Sequence, residues 1–152
     1  MTQDIAAETI IEDILYLTGK AIMEDDDDLF VSCVAFPLLQ ETINGQRVMV
    51  SRDEISKMLS GVRQYMKEND FVDLVRTVVS AEFVDADTVS STHVSLMLHR
   101  ENRVERSPYP VHSVIRRIGT SWKLVSSIYA ILDSVGHNAA LLPDKLLSEN
   151  TV

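Results

Sequence analysis

The sequence predicts an α+β fold, with helices first and one strongly curved sheet second. Three observations predict it. Apolar residues recur at helical spacing through the first third of the chain. Long strand-like runs fill most of the rest. Turn residues separate those runs at 85–87 and 119–121. In that order, three N-terminal helices pack into the concave face of a strongly bent antiparallel or mixed sheet, which makes a cone with one open mouth. Such a cone encloses a pocket.

The first helix is expected over 5–23, where Ile10, Ile11, Ile14, Leu15 and Leu17 form the apolar stripe and Asp4 caps the start. The acidic run at 25–28 precedes the apolar stretch 29–36. Carboxylates suit a helix N-terminus, where free N–H groups and the dipole favour negative charge. A calcium loop is the sharper reading, but the run lacks the glycine and the distal glutamate of such a loop. Pro37 is expected to close this second helix. Strands over 38–42 and 47–50 flank Asn44-Gly45, a hairpin signal. Ser51, with Glu54 three residues on, forms a capping box for a third helix whose stripe is Ile55, Met58, Leu59 and Val62. Strands follow over 71–84, 89–100, 108–118 and 122–132. The cone domain therefore covers 1–132. The tail, 133–152, holds a short helix near 138–142.

A chain of 152 residues fits one domain with a sizeable core. Fourteen Lys and Arg against 23 Asp and Glu give a net charge of -9. That field repels phosphate backbones and anionic lipid surfaces, so neither nucleic acid nor membrane is an expected partner. Cys33 is the single cysteine, so no internal disulfide forms and a reducing, cytoplasmic setting is expected. Cys33 lies in an apolar run with no nearby base and reads as an inert thiol. No secretory leader or membrane-spanning run is read, and no cofactor motif: a glycine-rich phosphate loop is missing.

Strand residues two apart share a face. Over 89–100 one set is Val94, Leu96 and Leu98; the other is His93, Ser95, Met97 and His99. The uniformly apolar set is assigned inward. A hairpin centred on Asn102-Arg103 places Val94 opposite Val111 and His93 opposite His112. The last strand then points Trp122, Leu124, Ser126 and Ile128 inward. The outer face carries His93, Met97, His112, Val114, Val125 and Tyr129, which is too apolar for water. A homodimer through that convex face is the expected remedy. His93 and His112 read as a cross-strand pair at the contact, because two histidines alone do not fill a metal site. Protonation at about pH 6 would then loosen the dimer.

The chain resembles the nuclear transport factor 2-like superfamily, which includes SnoaL-like cyclases and ketosteroid isomerase. The carrying residues are Leu29-Phe30, Pro37, the helix opening Ser51-Arg52-Asp53-Glu54-Ile55, and Arg116-Arg117-Ile118-Gly119-Thr120-Ser121-Trp122-Lys123-Leu124. The resemblance spans 5–131. It implies that Tyr16 matches an oxyanion-hole tyrosine, that Glu41 falls near a general base, and that Ser113 stands where ketosteroid isomerase keeps a protonated acid. A serine is a weaker donor than a neutral carboxyl, which argues against isomerase-grade enolate stabilisation.

Each of these has a plainer reading. Tyr16 either polarises a ligand carbonyl or packs its ring in the core. Glu41 is either a desolvated pocket base or an exposed strand residue before the hairpin. The expected pocket takes Tyr16, Phe30, Phe36, Met58 and Val62 from the helical part. From the strands it takes Val94, Leu96, Leu98, Val111, Ser113, Ser126 and Ile128. Three functions fit. The first is a binder of a small apolar ligand in an apolar cone pocket, with one or two ligand polar atoms met by Tyr16, Ser113 or Ser126. The second is a cofactor-independent cyclase or isomerase working by acid–base chemistry through Tyr16 and Glu41. The third is a scaffold module whose cavity is filled by its own side chains.

Overall fold

The computed structural model describes residues 5–101, 108–131 and 134–142. The helices are α1 (Ala7–Met23), α2 (Asp27–Ser32), α3 (Arg52–Glu68) and α4 (Val135–Leu141). The strands are β1 (Val34–Thr42), β2 (Gly45–Met49), β3 (Phe71–Asp85), β4 (Thr88–His99), β5 (Tyr109–Ile118) and β6 (Ser121–Tyr129). They form one six-stranded sheet in the order β2-β1-β6-β5-β4-β3. The β1–β6 pair is parallel and the others are antiparallel. The fold is thus α+β with a mixed sheet and helices on its concave side.

Local chemistry explains most boundaries. Asp26 accepts a bond from the Leu29 N–H at 3.1 Å and caps α2. Ser51 does the same for α3, accepting from the Glu54 N–H at 3.3 Å. The expected cap of α1, Asp4, lies outside the described residues. The β1–β2 turn places Gly45 at φ 124°, which favours glycine, opposite Thr42. The second helix is shorter than the 29–36 expected. It stops at Ser32, and β1 begins at Val34 and runs through Pro37. The residue before a proline is biased to extended backbone, so Phe36 favours the strand. Pro37 falls between Val34 and Leu39, where the pairing with β6 shifts register, so no ladder bond calls on its missing N–H.

The register overturns the expected faces of β4. Val111 pairs with His93 and Pro110 with Val94, one residue away from the expected alignment. A one-residue slip exchanges the two faces of a strand. Ser91, His93, Ser95, Met97 and His99 therefore point inward, while Val94, Leu96 and Leu98 lie half-buried on the outer face. The hairpin centre at Asn102-Arg103 lies outside the described residues. In β6 a bulge causes a second correction. Val114 pairs with Ser126 and Ile115 with Leu124, so Val125 is skipped. Past it, Ser127 and Tyr129 face the interior, and Ser126 and Ile128 face out.

Two consequences follow for the expected dimer face. His93, Met97 and Tyr129 belong to the interior, not to the convex side. His112 does lie outside, within 3.3 Å of Ser90 and 3.5 Å of Thr92, but His93 is not its cross-strand neighbour. No helix among the described residues is long and apolar enough to cross a membrane.

Candidate functional site

A cavity of about 60 Å³ lies between the inner sheet face and the helices. On that measure a water needs about 10–15 Å³, so there is room for a few waters or one compact organic molecule. α1 supplies Ile11, Ile14, Leu15, Thr18 and Ile22, and α3 supplies Met58, Leu59 and Val62. These positions recur at three- and four-residue spacing, which brings them onto one stripe of each helix. Phe30 of α2 closes the wall between them.

The sheet wall is more polar than the helical wall. Cross-strand pairing lays its side chains out in rows. Arg76 of β3 stands opposite Ser95 of β4, which stands opposite Tyr109 of β5. The next row runs from His93 through Val111 to Tyr129. A third runs from Ser91 through Ser113 and Ser127 to Gln40. Buried polar groups cost free energy unless they are paired. Two in these rows, the Ser91 hydroxyl and Nδ1 of His93, have no hydrogen-bond partner among the described residues.

Arg76 is the cation of the site. Its Nη2 donates to the Leu15 carbonyl and to the Thr18 hydroxyl, the latter at 2.9 Å. Thr18 in turn donates to the Ile14 carbonyl at 2.8 Å. No carboxylate among the described residues pairs with Arg76. The residue is half-buried because it also lines a groove outside α1. Desolvation lowers its pKa from the ordinary value, with Tyr129 and Tyr109 acting the other way. The groove limits that loss of solvent, and an arginine stays charged in any case.

The neighbours respond to this cation. Burial first, and then the Arg76 charge, push the pKa of His93 down from 6.5 to about 4. His93 is therefore a neutral imidazole at pH 7. Burial raises the Tyr129 phenol, with Arg76 and a bond to Ser127 opposing, so Tyr129 is a neutral donor. Among the described residues, the cavity thus has one fixed positive charge, Arg76, and several neutral polar groups.

α4 closes one end. His137 stacks on Tyr65 at 4.9 Å and meets Tyr109 edge-on at 5.1 Å. Gln40 donates to the Leu141 carbonyl at 2.7 Å, and Asn138 donates to the Ile131 carbonyl at 3.0 Å. His137 and Leu141 line the cavity, so the segment after the sheet is part of its wall.

Of the expected pocket residues, the structure brings Phe30, Met58, Val62, Val111 and Ser113 together there. The others lie elsewhere. Tyr16 is 68% exposed, because it falls two residues past Ile14 and hence on the far side of α1, in the outer groove. Phe36 is 39% exposed on the outer sheet face. Glu41 alternates with the inward Gln40 and Thr42, and its carboxylate accepts from Gln46 at the surface. Tyr16 and Glu41 therefore do not form a catalytic pair in one cavity. No group of three metal-ligating side chains occurs among the described residues.

Sequence reasoning missed Arg76, His93, Ser95, Tyr109, Tyr129 and His137 as site residues. One signal was present. Leu74 and Val78 flank Arg76 at two-residue spacing, so a cation interrupts an otherwise apolar face.

No protein-family profile matches the chain, and no curated protein matches it. Solved structures do resemble it. A nuclear transport factor 2-like protein of unknown function from Shewanella oneidensis MR-1 aligns with a TM-score of 0.63 at 11% identity, over 83% of this chain and 100% of that one. A domain of unknown function with a cystatin-like fold from Nostoc punctiforme PCC 73102 gives 0.66 at 14% identity, over 99% and 100%. A nuclear transport factor 2-like protein with a cystatin-like fold from Novosphingobium aromaticivorans gives 0.64 at 16%, over 89% and 88%. At such identities the likeness concerns the fold, and function has to be argued from the site. On topology and on these likenesses together, the chain has the nuclear transport factor 2-like, cystatin-like α+β cone fold.

Proposed function

We propose that the protein binds a small organic molecule inside the cone. The observation that carries this reading is a cavity with apolar helical walls and a sheet wall lined by polar side chains, among them His93, whose buried Nδ1 has no partner among the described residues. A module serving only as a scaffold has no need of buried, unpaired polar atoms, which cost stability. Catalysis by Tyr16 and Glu41 is set aside because the two point away from the cavity.

The methionines provide a test. Met58 and Met97 line the cavity, whereas Met23 lines the outer groove and Met49 lies in β2. In methyl NMR, a screen of small organic compounds is expected to shift Met58 and Met97 and leave Met23 and Met49 in place. A screen in which no compound moves the first pair, or in which Met23 alone responds, would overturn the reading.

We also infer that two copies associate through the outer sheet face. Val114, Val125 and Ser126 line a shallow outer groove there with Phe36 and Ile118, which are 39% and 49% exposed. Sedimentation is expected to give a dimer, and Val125→Glu to give a monomer. A wild-type monomer at high concentration would end this inference.

A further inference from the structure

We propose that the cavity ligand carries a carboxylate, and that the Arg76 guanidinium is its counter-ion. The proposal rests on the binding reading above and adds the chemical class of what is bound. Its first support is a charge without an opposite. Arg76 lines the cavity, and its guanidinium has no carboxylate partner among the described residues. Both of its protein contacts are made by Nη2, to neutral oxygens. Nε and Nη1 donate to no group among the described residues, which leaves hydrogen-bond capacity for an anion.

The second support is independent of the arginine. His93 is 3% exposed, lies in the row beside Arg76, and has an Nδ1 with no partner among the described residues. A neutral imidazole carries one N–H, and His93 lines the cavity, so the ring brings a neutral donor to its wall. Across the sheet in the same row, Tyr129 presents a neutral phenol. A cation flanked by two neutral donors fits a carboxylate, since charge-assisted bonds from arginine are the strong ones. The single fixed charge matches a monoanion, and the remaining walls, Ile11, Ile14, Met58, Leu59, Val62 and Val111, ask for a compact apolar body.

Gly19 seats the cation. A Cβ at that position would stand 2.8 Å from Nη2 of Arg76, with nothing else but the guanidinium carbon within 4 Å. The missing side chain is what lets the guanidinium lie against α1. Gly19→Ala therefore displaces the guanidinium without removing its charge. Alanine also suits a helix better than glycine, so the variant is expected to fold.

Two pairs of probes test the proposal: benzoate against benzamide, and isobutyrate against isobutyramide. Each is titrated into the full chain while the Met58 and Met97 methyl signals are followed. The carboxylate of each pair is expected to bind about tenfold or more tighter than its amide. Arg76→Met should erase that preference, and Gly19→Ala should weaken it. Equal affinity of carboxylate and amide for the wild type would overturn the proposal while leaving cavity binding intact. A carboxylate preference that survives Arg76→Met would overturn it too. Probes that leave both methyl signals unmoved would remove the binding reading along with it. Should Arg76→Met fail to fold, the wild-type comparison and Gly19→Ala decide the matter.

Discussion

β4 and β5 lie side by side in the sheet, and they treat the interior in opposite ways. β5 points Val111 and Ile115 inward around Ser113 and leaves Arg116 and Arg117 in water. β4 points Ser91, His93, Ser95 and His99 inward and leaves Val94, Leu96 and Leu98 half-buried outside. A rule that sends the apolar set to the core reads β5 correctly and β4 backwards. β4 pairs with β3 and borders its charged residue Arg76 across Ser95, whereas β5 has β4 and β6 as neighbours. Local chemistry and global fold are expected to conflict where a site is built, and β4 is where they conflict here.

The largest effect that probes this contrast belongs to Ile115. It is fully buried on the inner face of β5. Ile115→Ala should cost about 2–5 kcal/mol in urea unfolding, from lost transfer energy and the void left behind. Leu96→Ala removes a similar volume from the outer face of β4 and should cost under about 1 kcal/mol if that face is open to solvent. Should Leu96→Ala cost as much as Ile115→Ala, either the face assignment is reversed or a second copy covers Leu96. The concentration dependence of the midpoint separates those two.

The fold was legible because it depends on patterns that a single chain displays. Helical stripes in α1 and α3, the Ser51 cap and the turn at Gly119 all act within a few residues. The site was less legible because it depends on pairing between strands. The register of β4 on β5 decided the inner face, and the bulge at Val125 decided that Tyr129 faces in and Ile128 out. Neither follows from alternation within one strand. Pro37 misled for a related reason: it reads as a helix stop, and it sits inside β1 where the β6 pairing shifts. Among the site residues that sequence reasoning missed, Arg76 had a sequence signal of its own.

His93 gives the next largest effect, through pH. Its folded-state pKa lies at about 4, below the 6.5 of the unfolded ring. Between those values the unfolded chain holds more protons, so stability rises with pH. The contribution is complete above about pH 6.5 and is lost as pH falls toward 4. A shift of that size is worth on the order of 3 kcal/mol. Subtracting the pH profile of His93→Asn from that of the wild type isolates it from the carboxylates. A flat difference between pH 4 and 6.5 would place His93 in water, against the inward face of β4.

The smallest effect distinguishes two tyrosines. Tyr16 is 68% exposed in the groove outside α1, and Tyr129 lines the cavity. The fold resemblance favours Tyr16 as a functional phenol; the geometry favours Tyr129. Tyr16→Phe should change stability by under about 0.5 kcal/mol, as surface substitutions do. It should also leave cavity binding unchanged, because helical geometry places residue 16 on the side of α1 away from Ile14 and Thr18. Tyr129→Phe removes a buried donor that the Ser127 bond and the ligand would share, so probe affinity should fall. If Tyr16→Phe weakens probe binding and Tyr129→Phe does not, the occupied space is the groove rather than the cone. Arg76 lines both spaces, so its substitution alone would not reveal the difference. The tyrosine pair does, because each phenol belongs to one side only.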